Sequence, residues 1–160
     1  MFDKFGEFDS FEELNTAAEG LKNEGDLESL TELAKENGLD PEDAQDYADG
    51  VVSQLCTAAT AALAKLSLEK KDFTISEIVG DWIGYIESEL MEDEALARGV
   101  RKKGKTLIDC IGRILKWSYT NMYKVDNRII KASGISATGV KMGIPGMATA
   151  KEIIRRYYCE

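Results

Sequence analysis

The chain has 160 residues, 44% apolar and 31% charged with only two prolines, the make-up of a soluble helical protein rather than a disordered or fibrous one. Its formal net charge is −9 and it holds no histidine, which removes Ser-His-Asp and Cys-His nucleophile systems, imidazole metal ligands and the commonest general base near neutral pH. No apolar run approaches the roughly 20 residues that span a bilayer. The acidic start MFDKFGEFDS lacks a signal-peptide core, so a cytoplasmic protein is expected.

Helix signals dominate from the start. Ser10-Phe11-Glu12-Glu13 reads as a capping box opening a first helix to about Asn23, closed by Gly25. Asp26 caps a second, with Leu27, Leu30, Leu33 and Ala34 on one face and Asn37-Gly38 as its left-handed stop. Asp40-Pro41-Glu42-Asp43 is a cap followed by proline at the first helical position, opening a short third helix to about Asp49-Gly50. The alanine-rich VVSQLCTAATAALAKLS predicts a fourth helix able to pack closely, and Thr74-Ile75-Ser76-Glu77 predicts a second capping box. Behind it Ile75, Ile78, Val79, Trp82, Ile83, Ile86 and Leu90 recur at spacings of three and four, a core-facing stripe with Trp82 inside.

An acidic helix start at Glu92-Asp93-Glu94 precedes a long helix from Leu107. On this helix Leu107, Ile111, Ile114, Leu115, Ser118 and Met122 are expected on one face, and Asp109, Arg113, Lys116 and Thr120 on the other. Asp126 caps a brief helix through Ala132, SGISATGVKMGIPGM reads as a loop or short hairpin, and a last helix covers about Ala148 to Tyr158. The expected fold is all-α: a compact bundle of about eight or nine helices with little or no β structure. A charged stretch near 67–72 suggests two lobes, an acidic one over 1–67 and a second over 68–160 with a basic C-terminal half, or one compact domain.

Charge is strongly segregated. Residues 1–50 carry 16 acidic and 3 basic side chains, residues 51–97 carry 9 and 3, and residues 98–160 carry 4 and 14. Such a chain presents opposite electrostatic faces or folds one upon the other, and macromolecular partners are implied more strongly than small-molecule chemistry. Cys56, Cys110 and Cys159 are odd in number and form no C-x-x-C pair, so buried reduced thiols are expected rather than a disulfide framework or zinc site. No cofactor, metal or catalytic residue is expected.

GVRKKGKT, residues 99–106, satisfies the phosphate-loop pattern G-x-x-x-x-G-K-[ST]. Its flanks argue otherwise: ESELMEDEALAR upstream is a charged helical segment, not a buried strand, and no apolar run ending in a magnesium-binding Asp follows. The plainer reading is a helix-to-helix corner whose cations Arg101, Lys102, Lys103 and Lys105 are solvated, or face phosphate or an acidic protein. GIPGMATAKEII is similar to the helix-hairpin-helix loop, but Ala148 and Glu152 break its register and favour a structural turn. The acidic surface is either solvated or a mimic of nucleic acid that competes for a cationic channel.

Within residues 81–118 one helix carries Tyr85-Ile86, an acidic step at Asp93 and an alanine follow, and then Lys103, Lys105-Thr106-Leu107 and Cys110 open an apolar helix. In that order the segment resembles the PcfK-like proteins of Gram-positive conjugative plasmids and phages, some of which are anti-CRISPR inhibitors of the type II RNA-guided nuclease. The resemblance implies a non-enzymatic inhibitor that binds a CRISPR effector nuclease, alone or with its guide RNA, and blocks DNA binding or cleavage. Partner contacts are then expected from Glu12, Glu13, Glu42, Asp43, Asp46, Glu92, Asp93 and Glu94, with Arg101, Lys102, Lys103 and Lys105 as a second, nucleic-acid- or partner-binding set. The alternative is a DNA-binding accessory protein of plasmid conjugation or replication using residues 98–160.

Overall fold

A computed structural model describes residues 2–72 and 74–160. Among these the chain forms nine α-helices: α1 (Phe11–Glu24), α2 (Leu27–Glu36), α3 (Pro41–Ala48), α4 (Ala58–Glu69), α5 (Glu77–Glu89), α6 (Glu94–Arg101), α7 (Leu107–Thr120), α8 (Asn127–Ala132) and α9 (Met147–Cys159). The fold is all-α apart from an antiparallel ribbon in which β1 (Tyr123–Lys124) pairs with β2 (Lys141–Met142). The small-residue tract therefore does supply a strand, paired with the end of the α7 segment rather than with itself.

Most helix starts follow from local chemistry. The side chains of Ser10, Asp26, Asp93 and Thr106 each accept the backbone N–H three residues on, at 3.2, 2.9, 3.0 and 3.1 Å, and Asp40 and Asp43 form the reciprocal box of α3. Gly25 ends α1 and Gly38 follows α2 in the left-handed conformation, φ +72° and +78°. At α1 the expected box closes one residue early, because the Glu13 carboxylate accepts the N–H of Asp9, not of Ser10.

Three expectations need correction. The fourth helix starts seven residues late, because the side chain of Asn15 on α1 takes both backbone groups of Cys56 (Nδ2 to the carbonyl, 2.8 Å; Cys56 N–H to Oδ1, 3.0 Å). That pairing holds Cys56 away from helical bonding, and a reciprocal Thr57–Thr60 box opens α4 just beyond it. No capping box forms at Thr74: α5 begins at Glu77 with Ser76 as its cap residue and no side-chain bond, and Ile75 lies outside the helix, exposed. On α7 the buried line is Leu107, Cys110 and Ile114, whereas Leu115 is 67% and Met122 46% exposed. At about 100° per residue Leu115 lies off the line that α4 and α9 cover, and Met122 lies beyond the end of the helix at Thr120.

Two apolar clusters fill the interior. One gathers Leu14, Ala18, Leu30, Leu33, Ala34, Leu39, Ala44 and Tyr47 from α1 to α3. The other gathers Trp82, Ile83, Ile86, Leu96, Val100, Leu107, Ile114, Ile154 and Tyr158 from α5, α6, α7 and α9. They meet on α4, whose Ala61 and Ala64 belong to the first and Ala58, Ala62 and Leu66 to the second. Alanines on both faces let neighbouring helices approach closely, and α6 is the main one to do so.

α6 and α9 approach closely at Gly99, where an added methyl group would stand 2.2 Å from the Tyr158 carbonyl oxygen. Gly99→Ala should therefore destabilise the fold by about 3 kcal/mol in urea denaturation, since backbone must move to admit it. Gly112→Ala, with nothing within 4 Å of the new carbon, should be neutral or stabilising by about 0.5–1 kcal/mol through helix propensity.

Candidate interaction surfaces and the GVRKKGKT corner

Between α6 and α7 the chain turns through residues 102–106, with Gly104 left-handed at φ +74°. Beneath this corner α4 presents two buried charges one turn apart. Lys65, 2% exposed, donates from Nζ to the Lys102 carbonyl at the end of α6 (2.9 Å) and to Glu7 Oε1 (2.8 Å). Glu69 accepts the N–H of Leu107, the first residue of α7, at 2.9 Å. A cation thus meets the negative end of one helix and a carboxylate the positive end of the next. Burial raises the Glu69 carboxyl above its ordinary value, while the Leu107 N–H and the charge of Lys65 oppose that rise.

The last helix holds the corner from another side. Thr106 N–H donates to the Tyr157 hydroxyl (2.7 Å), and Lys105 Nζ donates to the Tyr157 carbonyl (2.5 Å). In this phosphate-loop look-alike the threonine hydroxyl caps α7 and the final lysine is tied to α9, with helix rather than strand on either side.

Arg101 does not belong to the expected basic surface. It is 1% exposed and donates to the Phe8 carbonyl (3.2 Å) and to Asn37 Oδ1 (3.0 Å). The α6 period places it with Ala97 and Val100 on the face packed inward. Burial lowers its pKa, opposed by Cys56 and by the Glu7 and Glu13 carboxylates. Lys102 and Lys103 remain exposed, and Lys105 is half-buried.

The acidic set divides. Glu12 pairs with Arg98, which also holds Glu94 (2.9 Å), and Asp93 pairs with Arg155, so these three carboxylates join α1, α6 and α9. Asp93 also caps α6; the Leu96 N–H first, and then Arg155, lower its pKa. Glu13 and Asp43 are engaged by backbone N–H groups. The carboxylates of Glu42, Asp46 and Glu92 are exposed and have no hydrogen-bond or ion-pair partner among the described residues.

A groove that the sequence did not reveal runs between α7 and α9. Lys105, Gly112, Arg113, Lys116 and Tyr157 line one hollow, and Arg113, Lys116, Trp117, Arg156 and Tyr157 an adjoining one. Arg113 and Lys116 were legible as the polar face of α7; that α9 would wall them was not. Among the described residues no three His, Cys, Asp or Glu side chains are grouped to hold a metal, and no helix is long and apolar enough to cross a membrane. Cys56 and Cys110 are buried, their thiols pushed up to about 12 by burial, whereas Cys159 is exposed, contrary to expectation. No family model, curated protein or solved structure matches the chain.

Two measurements check this electrostatic frame. Lys65→Met leaves Glu7 and the Lys102 carbonyl without their buried donor, and should cost about 3 kcal/mol in chemical denaturation. Asp93→Ala should cost about 1 kcal/mol near pH 7 through the lost cap. Because the native carboxyl titrates below its ordinary 3.8, its contribution is complete above 3.8 and is lost as pH falls through the lower native value. The stability gap between wild type and Asp93→Ala should accordingly close on acidification.

Proposed function

We propose that this chain is a non-enzymatic binding protein of a mobile genetic element. In this reading it acts in the bacterial cytoplasm as a stoichiometric inhibitor of a type II RNA-guided nuclease. The order of residues 81–118, which resembles the PcfK-like proteins, supports the choice of target. The structural observation that carries the binding mode is the acidic surface of α1 to α3. Twelve of the sixteen carboxylates in residues 1–50 are exposed, and eight of these twelve sit on α1 to α3, helices fixed by a shared apolar cluster.

The few cations of that region do not neutralise it. Lys4 pairs with Glu32, and Lys22 donates to the Tyr47 carbonyl at 2.6 Å. RNA-guided nucleases hold guide and target in a positively charged channel. A rigid display of carboxylates competes for such a channel without paying the ordering entropy of a flexible acidic tail. Glu42 and Asp46, one turn apart on α3 and free of internal partners, are the residues best placed for that contact, with Glu92 on the α5–α6 turn.

The test is a DNA-cleavage assay and pull-down with purified type II nuclease, with and without guide RNA. Wild-type protein should suppress cleavage at near-equimolar ratio, and Glu42→Lys with Asp46→Lys should weaken inhibition at least tenfold while leaving thermal unfolding unchanged. Cleavage that continues at large molar excess of wild type contradicts the target. Inhibition that survives the double reversal contradicts the acidic docking surface.

A further inference from the structure

We propose that the groove between α7 and α9 binds the phosphate backbone of a single-stranded nucleic acid. The inference stands on different residues from the acidic surface and holds whether or not the nuclease is the partner.

Lys105, Arg113, Lys116 and Arg156 line the two adjoining hollows, and Asp109 is the one carboxylate among the lining residues. How these cations are held matters as much as their number. Lys105 Nζ and the Arg113 guanidinium each lie 4.9 Å from the centre of the Tyr157 ring, and Lys105 also donates to the Tyr157 carbonyl. A π face and a carbonyl oxygen orient a cation without cancelling its charge, so both remain available to an anion. The ammonium of exposed Lys116 has no hydrogen-bond or ion-pair partner among the described residues. Among the described residues Arg156 is paired only with Glu152, one turn away and exposed on both sides, a weak competitor for a phosphate.

The floor of the groove is open at Gly112, on the exposed side of α7, where a built Cβ would meet nothing within 4 Å. A phosphate or sugar can therefore approach the helix between Lys105 and Lys116. Half-buried Trp117 lines the second hollow beside Lys116 and Arg156. Cations that track a backbone beside an aromatic face that accepts any base are the elements of single-strand binding. A duplex presents no free base face to Trp117, and an acidic peptide gains nothing from it beyond burial, so the single strand is the occupant that uses the whole groove.

The test is fluorescence anisotropy of a labelled oligothymidylate and an oligouridylate titrated with the full chain. A matched duplex and a polyglutamate peptide serve as competitors. Three neutralised phosphates give a logarithmic salt slope of about −2, so the single strands should bind about tenfold more weakly at 150 mM salt than at 50 mM. Gly112→Glu, whose Cβ would meet nothing within 4 Å, brings a carboxylate to the side of α7 that carries Lys105, Arg113 and Lys116 and should weaken binding at least tenfold with no loss of thermal stability; Gly112→Ala should retain binding. Arg113→Ala with Lys116→Ala should flatten the salt slope by about 1.4. No single-strand binding at 50 mM salt, equal displacement by polyglutamate or duplex, or full binding by Gly112→Glu would each overturn the proposal.

Discussion

Two buried charges on one helix, Lys65 and Glu69 on α4, fix the arrangement on which the rest of this molecule depends. Each takes a helix end that would otherwise be unsatisfied: Lys65 the last carbonyl region of α6, Glu69 the first N–H of α7. Charges without such partners would be costly in so dry a place, and helix ends without such partners would be costly too. The α6–α7 corner is therefore determined from below by α4 and from the side by Tyr157, and its five residues have little conformational choice. Those contacts also explain why a phosphate-loop sequence pattern here has no phosphate-loop structure.

The charge segregation of the chain resolves into two parts. Some of it is consumed internally, where Glu12 meets Arg98 and Asp93 meets Arg155, joining acidic and basic segments into one framework. The remainder is displayed: the carboxylates of α1 to α3, and the cations of the α7–α9 groove. Both displays sit on helices anchored in apolar clusters that share α4. The polarity is thus a fixed property of the fold rather than of flexible tails.

Local signals were readable from the chain because their causes are local. Ser10, Asp26, Asp40, Asp93, Thr106 and Asp126 each cap a helix by bonding within three residues, and the all-α class follows from their sum. What escaped depends on contacts distant in sequence. Arg101 looked like one more cation in a basic run, but its acceptors, Phe8 and Asn37, lie 93 and 64 residues away. The late start of α4 is imposed by Asn15, 41 residues before Cys56. Leu115 and Met122 fit an apolar stripe by spacing, yet α4 and α9 leave Leu115 uncovered and the helix ends at Thr120, before Met122. The groove likewise exists only once α9 has returned to α7. Five of the eight candidate carboxylates are engaged in capping and pairing, because the same residues that open helices also make a surface acidic.

Sharing α4 should make the two apolar clusters one cooperative unit that holds the acidic surface and the groove in fixed relation. Native-state hydrogen exchange across a urea series tests it most directly, with the amides of Leu33 on α2 and Ile114 on α7 as reporters of the two clusters. Both should be exposed by the same global opening, with equal free energy and equal denaturant dependence. Exchange of Leu33 through a separate, lower-energy opening while Ile114 stays protected would contradict it.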